Sequence, residues 1–175
     1  MADISVNYLG LTLKNPLIVG SCGLTGSLEN IKQMEKNGAA AVVLKSIFEE
    51  EILVETENKI KEAKKDSLIY SELSETLDYV DLHTKEENLK NHLKLIRDAK
   101  KETLIPIIAS INCVTDSEWT DFAVKIQEAG ADALELNLFL NPTNTLDKDP
   151  EKSAIKIIKK VLKTVSIPVA VKMSN

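Results

Sequence analysis

Two stretches of this chain, Gly38-Ala39-Ala40-Ala41-Val42-Val43-Leu44-Lys45 and Gly130-Ala131-Asp132-Ala133-Leu134-Glu135-Leu136-Asn137, follow one plan: a glycine, a tight turn, and a largely apolar run ending on a polar side chain. A glycine that closes a helical pattern and leads at once into a strand marks the junction of a repeated strand–helix unit. Parallel strands cannot be joined by tight turns and need a crossover between them, usually a helix. The run 40–46 is almost continuously apolar, as a strand covered on both faces must be. These features predict an α/β chain built on a parallel sheet.

The rest of the sequence keeps this rhythm. Residues 4–8 and 11–14 flank Gly10 and predict a small N-terminal hairpin. A first strand follows over 16–21, closed by Ser21-Cys22-Gly23. Ser27 is placed to cap a helix whose apolar positions Leu28, Ile31 and Met34 recur at helical spacing, with Gly38 as its stop. After the second strand, the charged stretch 47–84 reads as a solvated insertion within a single domain covering 1–175. Leu89, Leu93 and Ile96 predict a surface helix over 85–101, with His92 at its solvent border and His83 just ahead of it. The third strand is expected over 106–111. Asp116 then caps a helix carrying Trp119, Phe122, Ile126 and Ala129, and 133–138 forms the fourth strand. Asp149-Pro150 opens a helix with Ile155, Ile158 and Leu162 facing inward, and 168–173 is the fifth strand. A (β/α)8 barrel takes about 250 residues, roughly 31 per unit, so 175 residues hold about five and a half units. That agrees with five strands and is too short to close the barrel.

Composition narrows the function classes. With 22 Lys+Arg against 27 Asp+Glu and a net charge of −5, the chain is a poor candidate for nucleic acid or an anionic membrane. Its apolar runs, such as 39–44, are too short to span a bilayer, and no charged-then-apolar leader opens it, so a cytoplasmic location is expected. Cys22 and Cys113 make neither a disulfide framework nor a metal-ligand spacing, and two histidines are too few for zinc, so no metal is expected. No glycine-rich nucleotide fingerprint occurs.

In parallel α/β architectures reactive groups gather at the carboxyl ends of strands. Here those ends carry Ser21, Lys45, Ser110 with Asn112, Asn137 and Lys172. A lone lysine at such a rim often just snorkels to solvent. Two of them, each after an apolar run, point to an anionic or strongly polar ligand. Glu135 lies two residues before Asn137, so both share one face of the strand, and a buried carboxylate there needs a partner, for which Lys45 and Lys172 are the candidates. Cys22 and Cys113 have no base nearby and read as packing residues.

The opening Ile4-Ser5-Val6-Asn7-Tyr8-Leu9-Gly10-Leu11-Thr12-Leu13-Lys14-Asn15-Pro16 resembles the start of the class 1 dihydroorotate dehydrogenases. Val43-Leu44-Lys45-Ser46, Ile108-Ala109-Ser110-Ile111, the run Gly130–Asn137 and Ile167-Pro168-Val169-Ala170-Val171-Lys172 follow that family in order and spacing. Ser27–Asn30 and Phe48-Glu49-Glu50 are similar to its dihydroorotate dehydrogenase-like branch. The resemblance implies an FMN-dependent (β/α)8 TIM barrel that oxidises dihydroorotate to orotate in pyrimidine biosynthesis. It further implies that Gly20, Ser21 and Cys22 border the flavin, that Lys45 contacts flavin and substrate, that Ser110 and Asn137 bond near the ring, and that Lys172 holds its N1/O2 side. Where the family has Asn-Leu-Ser-Cys-Pro-Asn after the fourth strand, this chain has Asn137-Leu138-Phe139-Leu140-Asn141-Pro142-Thr143-Asn144, without the cysteine or serine base. The family's substrate-binding Asn-Ser-Met-Gly has no counterpart around 67–76. No catalytic base is assigned.

Two other readings stand beside an FMN oxidoreductase: a flavin-free barrel lyase or isomerase using Lys45 or Lys172 as a Schiff-base amine, and a catalytically silent partial barrel. Five strands leave two sheet edges open, so the sequence predicts a homo-oligomer or a missing C-terminal half. By itself the chain is expected to be inactive and to hold FMN poorly.

Overall fold

The computed structural model describes residues 2–48, 73–112, 118–138 and 149–173. Strands β1 (Val6–Tyr8) and β2 (Leu11–Leu13) pair antiparallel across a two-residue turn. Leu9 and Gly10 both have positive φ, 54° and 77°, the mirror-image turn whose twist suits a hairpin. Asn15 follows and ties two regions together: its Nδ2 donates to the Gly38 carbonyl at 2.9 Å, and its Oδ1 accepts from Leu17 N at 2.9 Å.

Strand β3 (Ile18–Val19) leads through a 3-10 turn (Gly23–Gly26) into α1 (Leu28–Lys36), which Ser27 caps by accepting from Asn30 N. After it come β4 (Ala41–Val43), β5 (Ile47–Phe48), α2 (Leu73–Glu102), β6 (Ile107–Asn112), α3 (Glu118–Glu128), β7 (Ala133–Leu138), α4 (Pro150–Thr164) and β8 (Val169–Met173). The sheet order is β3-β4-β6-β7-β8, every pairing parallel, with β5 continuing the path of β4 along β6. Strands that neighbour one another in chain order wind in one direction, as a barrel does; a doubly wound sheet would reverse. The result is a curled parallel half-barrel with helices on its outer face.

The two repeats are alike in detail. Helices α1 and α3 close with paired bonds, Gly38 N to Glu35 O with Ala39 N to Met34 O, and Gly130 N to Gln127 O with Ala131 N to Ile126 O. Both glycines have φ near 100°, which side chains resist. Two residues on, Ala40 N donates to Leu17 O and Asp132 N to Ile107 O, so each unit hooks to the preceding strand at the same place. Asp132 adds an ion pair to Lys100 (2.7 Å) and accepts from Ile107 N.

Two apolar clusters lie on opposite faces of the sheet. The larger packs Val42, Leu44, Ile107, Ala109, Ile111, Leu134 and Leu136 against the helices, with Trp119 and Ile126 among them. The smaller, Leu13, Ala40, Ala41, Val43, Ile108 and Ala133, lies at the amino end of the inner face, where the hairpin plugs it.

Three expectations are corrected. Helix α2 starts at Leu73, well before residue 85, and Ile47–Phe48 is a strand, so part of the expected 47–84 insertion belongs to the fold. The polar and β-branched residues Ser74, Thr76, Val80 and Thr84 dilute the helical signal there. Residues 49–72 lie outside the described residues, as do Asp116 and Cys113. On α4 the buried line is Ala154, Ile157, Ile158 and Val161, whereas Ile155 and Leu162 are 50% and 54% exposed. These two lie a full heptad apart on the flank turned away from the core, and Ile155 sits among Lys152, Lys156, Lys159, Lys160 and Lys163. That local basic stretch is masked by the negative net charge. His92 is also more enclosed than expected. Among the described residues its buried Nε2 has no hydrogen-bond partner, and burial pushes its pKa down to about 4.

Candidate active site at the carboxyl ends of the strands

Strand register decides which side chains share the inner face. Val43 on β4 pairs with Ile108 on β6, but Ile47 pairs with Ile111. One extra residue is therefore accommodated between Val43 and Ile47, a bulge that reverses the alternation. It turns Ser46 onto the face that carries Ser110. The two hydroxyls meet at 2.6 Å, both buried, with exposures of 4% and 0%.

This contact belongs to a longer line. Ser110 Oγ donates to Glu135 Oε1 at 2.9 Å, as expected for residues paired in register on β6 and β7. At the other end Ser46 Oγ lies 3.2 Å from Ser21 Oγ, and Ser46 N donates to that same Ser21 oxygen at 3.0 Å. Three serines and a glutamate thus span the ends of β3, β4–β5, β6 and β7. Buried hydroxyls of this kind are tolerated because each finds a partner.

One pleat further along, Asn137 on β7 pairs in register with Lys172 on β8, on the face of Glu135. Lys172 is exposed and Asn137 half-buried. Lys45 follows β4 and is exposed; its backbone N donates to Thr25 O, and its aliphatic stem passes beside Gly26, where a Cβ would meet it at 3.6 Å, an ordinary contact. Cys22 is an exposed free thiol at the start of the 3-10 turn. The Thr25 hydroxyl bridges that turn, accepting from Cys22 N and donating to Cys22 O. Gly20 borders open space.

Of the residues singled out from sequence, Ser21, Ser110, Asn137 and Lys172 therefore gather on or beside one face, and Gly20, Cys22 and Lys45 lie at its rim. Glu135 is satisfied by the Ser110 hydroxyl rather than by the lysine that was expected. Ser46 escaped notice, because only the bulge brings it inward. Among the described residues no group of histidine, cysteine or carboxylate side chains could hold a metal.

The sequence model of dihydroorotate dehydrogenase matches residues 3–175. The chain belongs to that family. Similar proteins include the catalytic subunit of dihydroorotate dehydrogenase B (NAD+) from Thermoplasma volcanium, 30% identical, covering 99% of this chain and 55% of that protein. The counterpart from Thermoplasma acidophilum is 31% identical with the same coverage. A subunit of NAD-dependent dihydropyrimidine dehydrogenase from Escherichia coli (strain K12) is 28% identical over 77% of this chain and 32% of its own length. This dihydroorotate dehydrogenase-family chain thus spans about half the length of the curated relatives it matches first. Among solved structures, an IMP dehydrogenase/GMP reductase-like protein from Corynebacterium glutamicum superposes with a TM-score of 0.52 at 14% identity, over 99% of this chain and 43% of its own. Dihydrodipicolinate synthase from Bacillus anthracis gives 0.53 at 13%, over 89% and 44%. At such identity they speak for the barrel-type fold alone.

Proposed function

We propose that this chain is the strand-end half of an FMN-dependent oxidoreductase acting on dihydroorotate or a related ring. The observation that carries the reading is the polar face at the carboxyl ends of the strands, with Ser21, Asn137 and Lys172 on or beside it, in a chain of this family. The donor set suits a flavin ring: an ammonium, an amide and hydroxyls complement its carbonyl and nitrogen edge, and open space at Gly20 leaves room for a flat face. In this reading Lys172 holds the ring's N1/O2 side, Asn137 bonds beside it, Ser21 and Cys22 border it, and Lys45 reaches both ring and substrate. The flavin, when bound, supplies hydride acceptance.

Barrels commonly grip phosphate with loops after their seventh and eighth strands, and the strands of the described residues supply neither. A tight site therefore needs further strands, from additional chain or a second molecule. The family relatives named as catalytic subunits make a partner subunit a natural companion. The test is titration of FMN into the chain, followed by flavin absorbance. Weak binding is expected, and Lys172→Ala should weaken it about ten- to a hundredfold, the worth of a charged hydrogen bond. Equal binding by wild type and variant would overturn the role given to Lys172.

A further inference from the structure

The stretch 139–148, where the family places its base, contains neither cysteine nor serine. The hydroxyl line on the inner face has a direction. A carboxylate oxygen accepts and cannot donate, so the single proton of Ser110 is committed to Glu135. Ser46 must then donate to Ser110, and Ser21 to Ser46. Ser21 Oγ already accepts from Ser46 N, which leaves it one lone pair for the site.

We propose that Ser21, Ser46, Ser110 and Glu135 form a proton relay that takes a proton from a bound donor at Ser21 and stores it on Glu135. The inference deepens the oxidoreductase reading and rests on it for the identity of the donor; the relay itself rests on the hydrogen-bond geometry. In the step, the donor's bond to hydrogen breaks, its electron pair stays with the donor, and the proton joins Ser21 Oγ. The original Ser21 proton moves to Ser46 Oγ, that of Ser46 to Ser110 Oγ, and that of Ser110 to Glu135 Oε1. Every serine ends neutral with one proton, and Glu135 ends as a carboxylic acid. The line is then reversed, with Ser21 donating to the conjugate base it has produced.

The surroundings suit this task. Ser46 and Ser110 are buried, which keeps water from the middle of the line, while Ser21 and Glu135 at its two ends are half-buried. Beside Glu135 in register lie uncharged residues, Ser110 on β6 and Ala170 on β8. Among the described residues, the charged groups at this end are Lys172, one pleat further along β8, and Lys45 after β4. Glu135 here is a positioning and proton-storing group that acts through Ser21.

Carbon NMR on the 175-residue chain tests the relay. The Glu135 carboxyl and Ser21 Cβ signals should titrate with one shared midpoint, because protonating Glu135 reverses every hydroxyl up to Ser21. Glu135→Gln should abolish the Ser21 inflection. Ser46→Ala should abolish it too while Glu135 still titrates, and Ser46→Thr, which keeps a hydroxyl, should restore it. A Ser21 signal that ignores Glu135 in the wild type, or keeps its inflection in Glu135→Gln, overturns the relay, and that comparison stands even if Ser46→Ala fails to fold. Added FMN is read separately by absorbance. Coupled titration without FMN binding overturns the flavin reading and keeps the relay; FMN binding with uncoupled titration does the reverse.

Discussion

The two faces of the same sheet are built on different terms. The outer face is dry: Val42, Leu44, Ile107, Ile111, Leu134 and Leu136 are sealed beneath helices, and Trp119 and Ile126 fill the space above them. The inner face is graded. It is apolar at the amino end, where Leu13 from the hairpin meets Ala41, Ile108 and Ala133, and polar at the carboxyl end, where hydroxyls, a carboxylate, an amide and an ammonium succeed one another. Alternation along each strand makes this possible, since neighbouring residues serve opposite faces. The dry packing is concentrated on one side and the polar groups on the other, within the same six residues of β6 or β7.

The largest test of that division is a cavity on the dry side. Leu136→Ala should cost roughly 2–5 kcal/mol, read from the urea midpoint, because its fully buried neighbours cannot collapse around the gap. A change below about 1 kcal/mol would break the division, since surface positions behave that way.

Acid should attack the same side through His92. Its pKa lies at about 4 against 6.5 for an unburied histidine, so the unfolded chain takes up the proton first. Stability is then full above pH 6.5, falls as pH drops from there towards 4, and is level in this respect below that. The whole loss is about 3 kcal/mol. His92→Leu should flatten the pH dependence across this window, as followed by urea unfolding at a series of pH values.

On the polar side the effects should be smaller and open to compensation. Ser110→Ala removes the acceptor of Ser46 and the donor to Glu135, for a loss of about 1–3 kcal/mol. Adding Glu135→Leu should recover part of it, because an apolar pair leaves fewer unmet polar groups. An outer-face cavity has no such remedy, and thermal unfolding of the single and double variants sharpens the contrast.

Much of the architecture could be read along the chain. The glycine junctions at 38 and 130, the Ser27 cap, the Asp149-Pro150 start and the apolar runs of β4, β6 and β7 are local signals, and each stands where its chemistry places it. Local signals also placed Ser110, Asn137 and Lys172 at strand ends. Helix α4 was legible as a helix, but its inward line passes through Ala154 and Val161 because packing against α3, a distant segment, sets its rotation. Glu135 could be put on the face of Asn137 from spacing, yet its partner came from another strand. Ser46 was hidden for the same reason: one extra residue against β6 reverses the alternation, and register is a relation between strands. The sequence by itself determined the elements, their order and which strand ends are polar, because those follow from bonds and propensities a few residues long. Only the tertiary structure decided which polar groups touch, because the contacts from Ser21 to Ser46, from Ser46 to Ser110 and from Ser110 to Glu135 join residues 25, 64 and 25 positions apart.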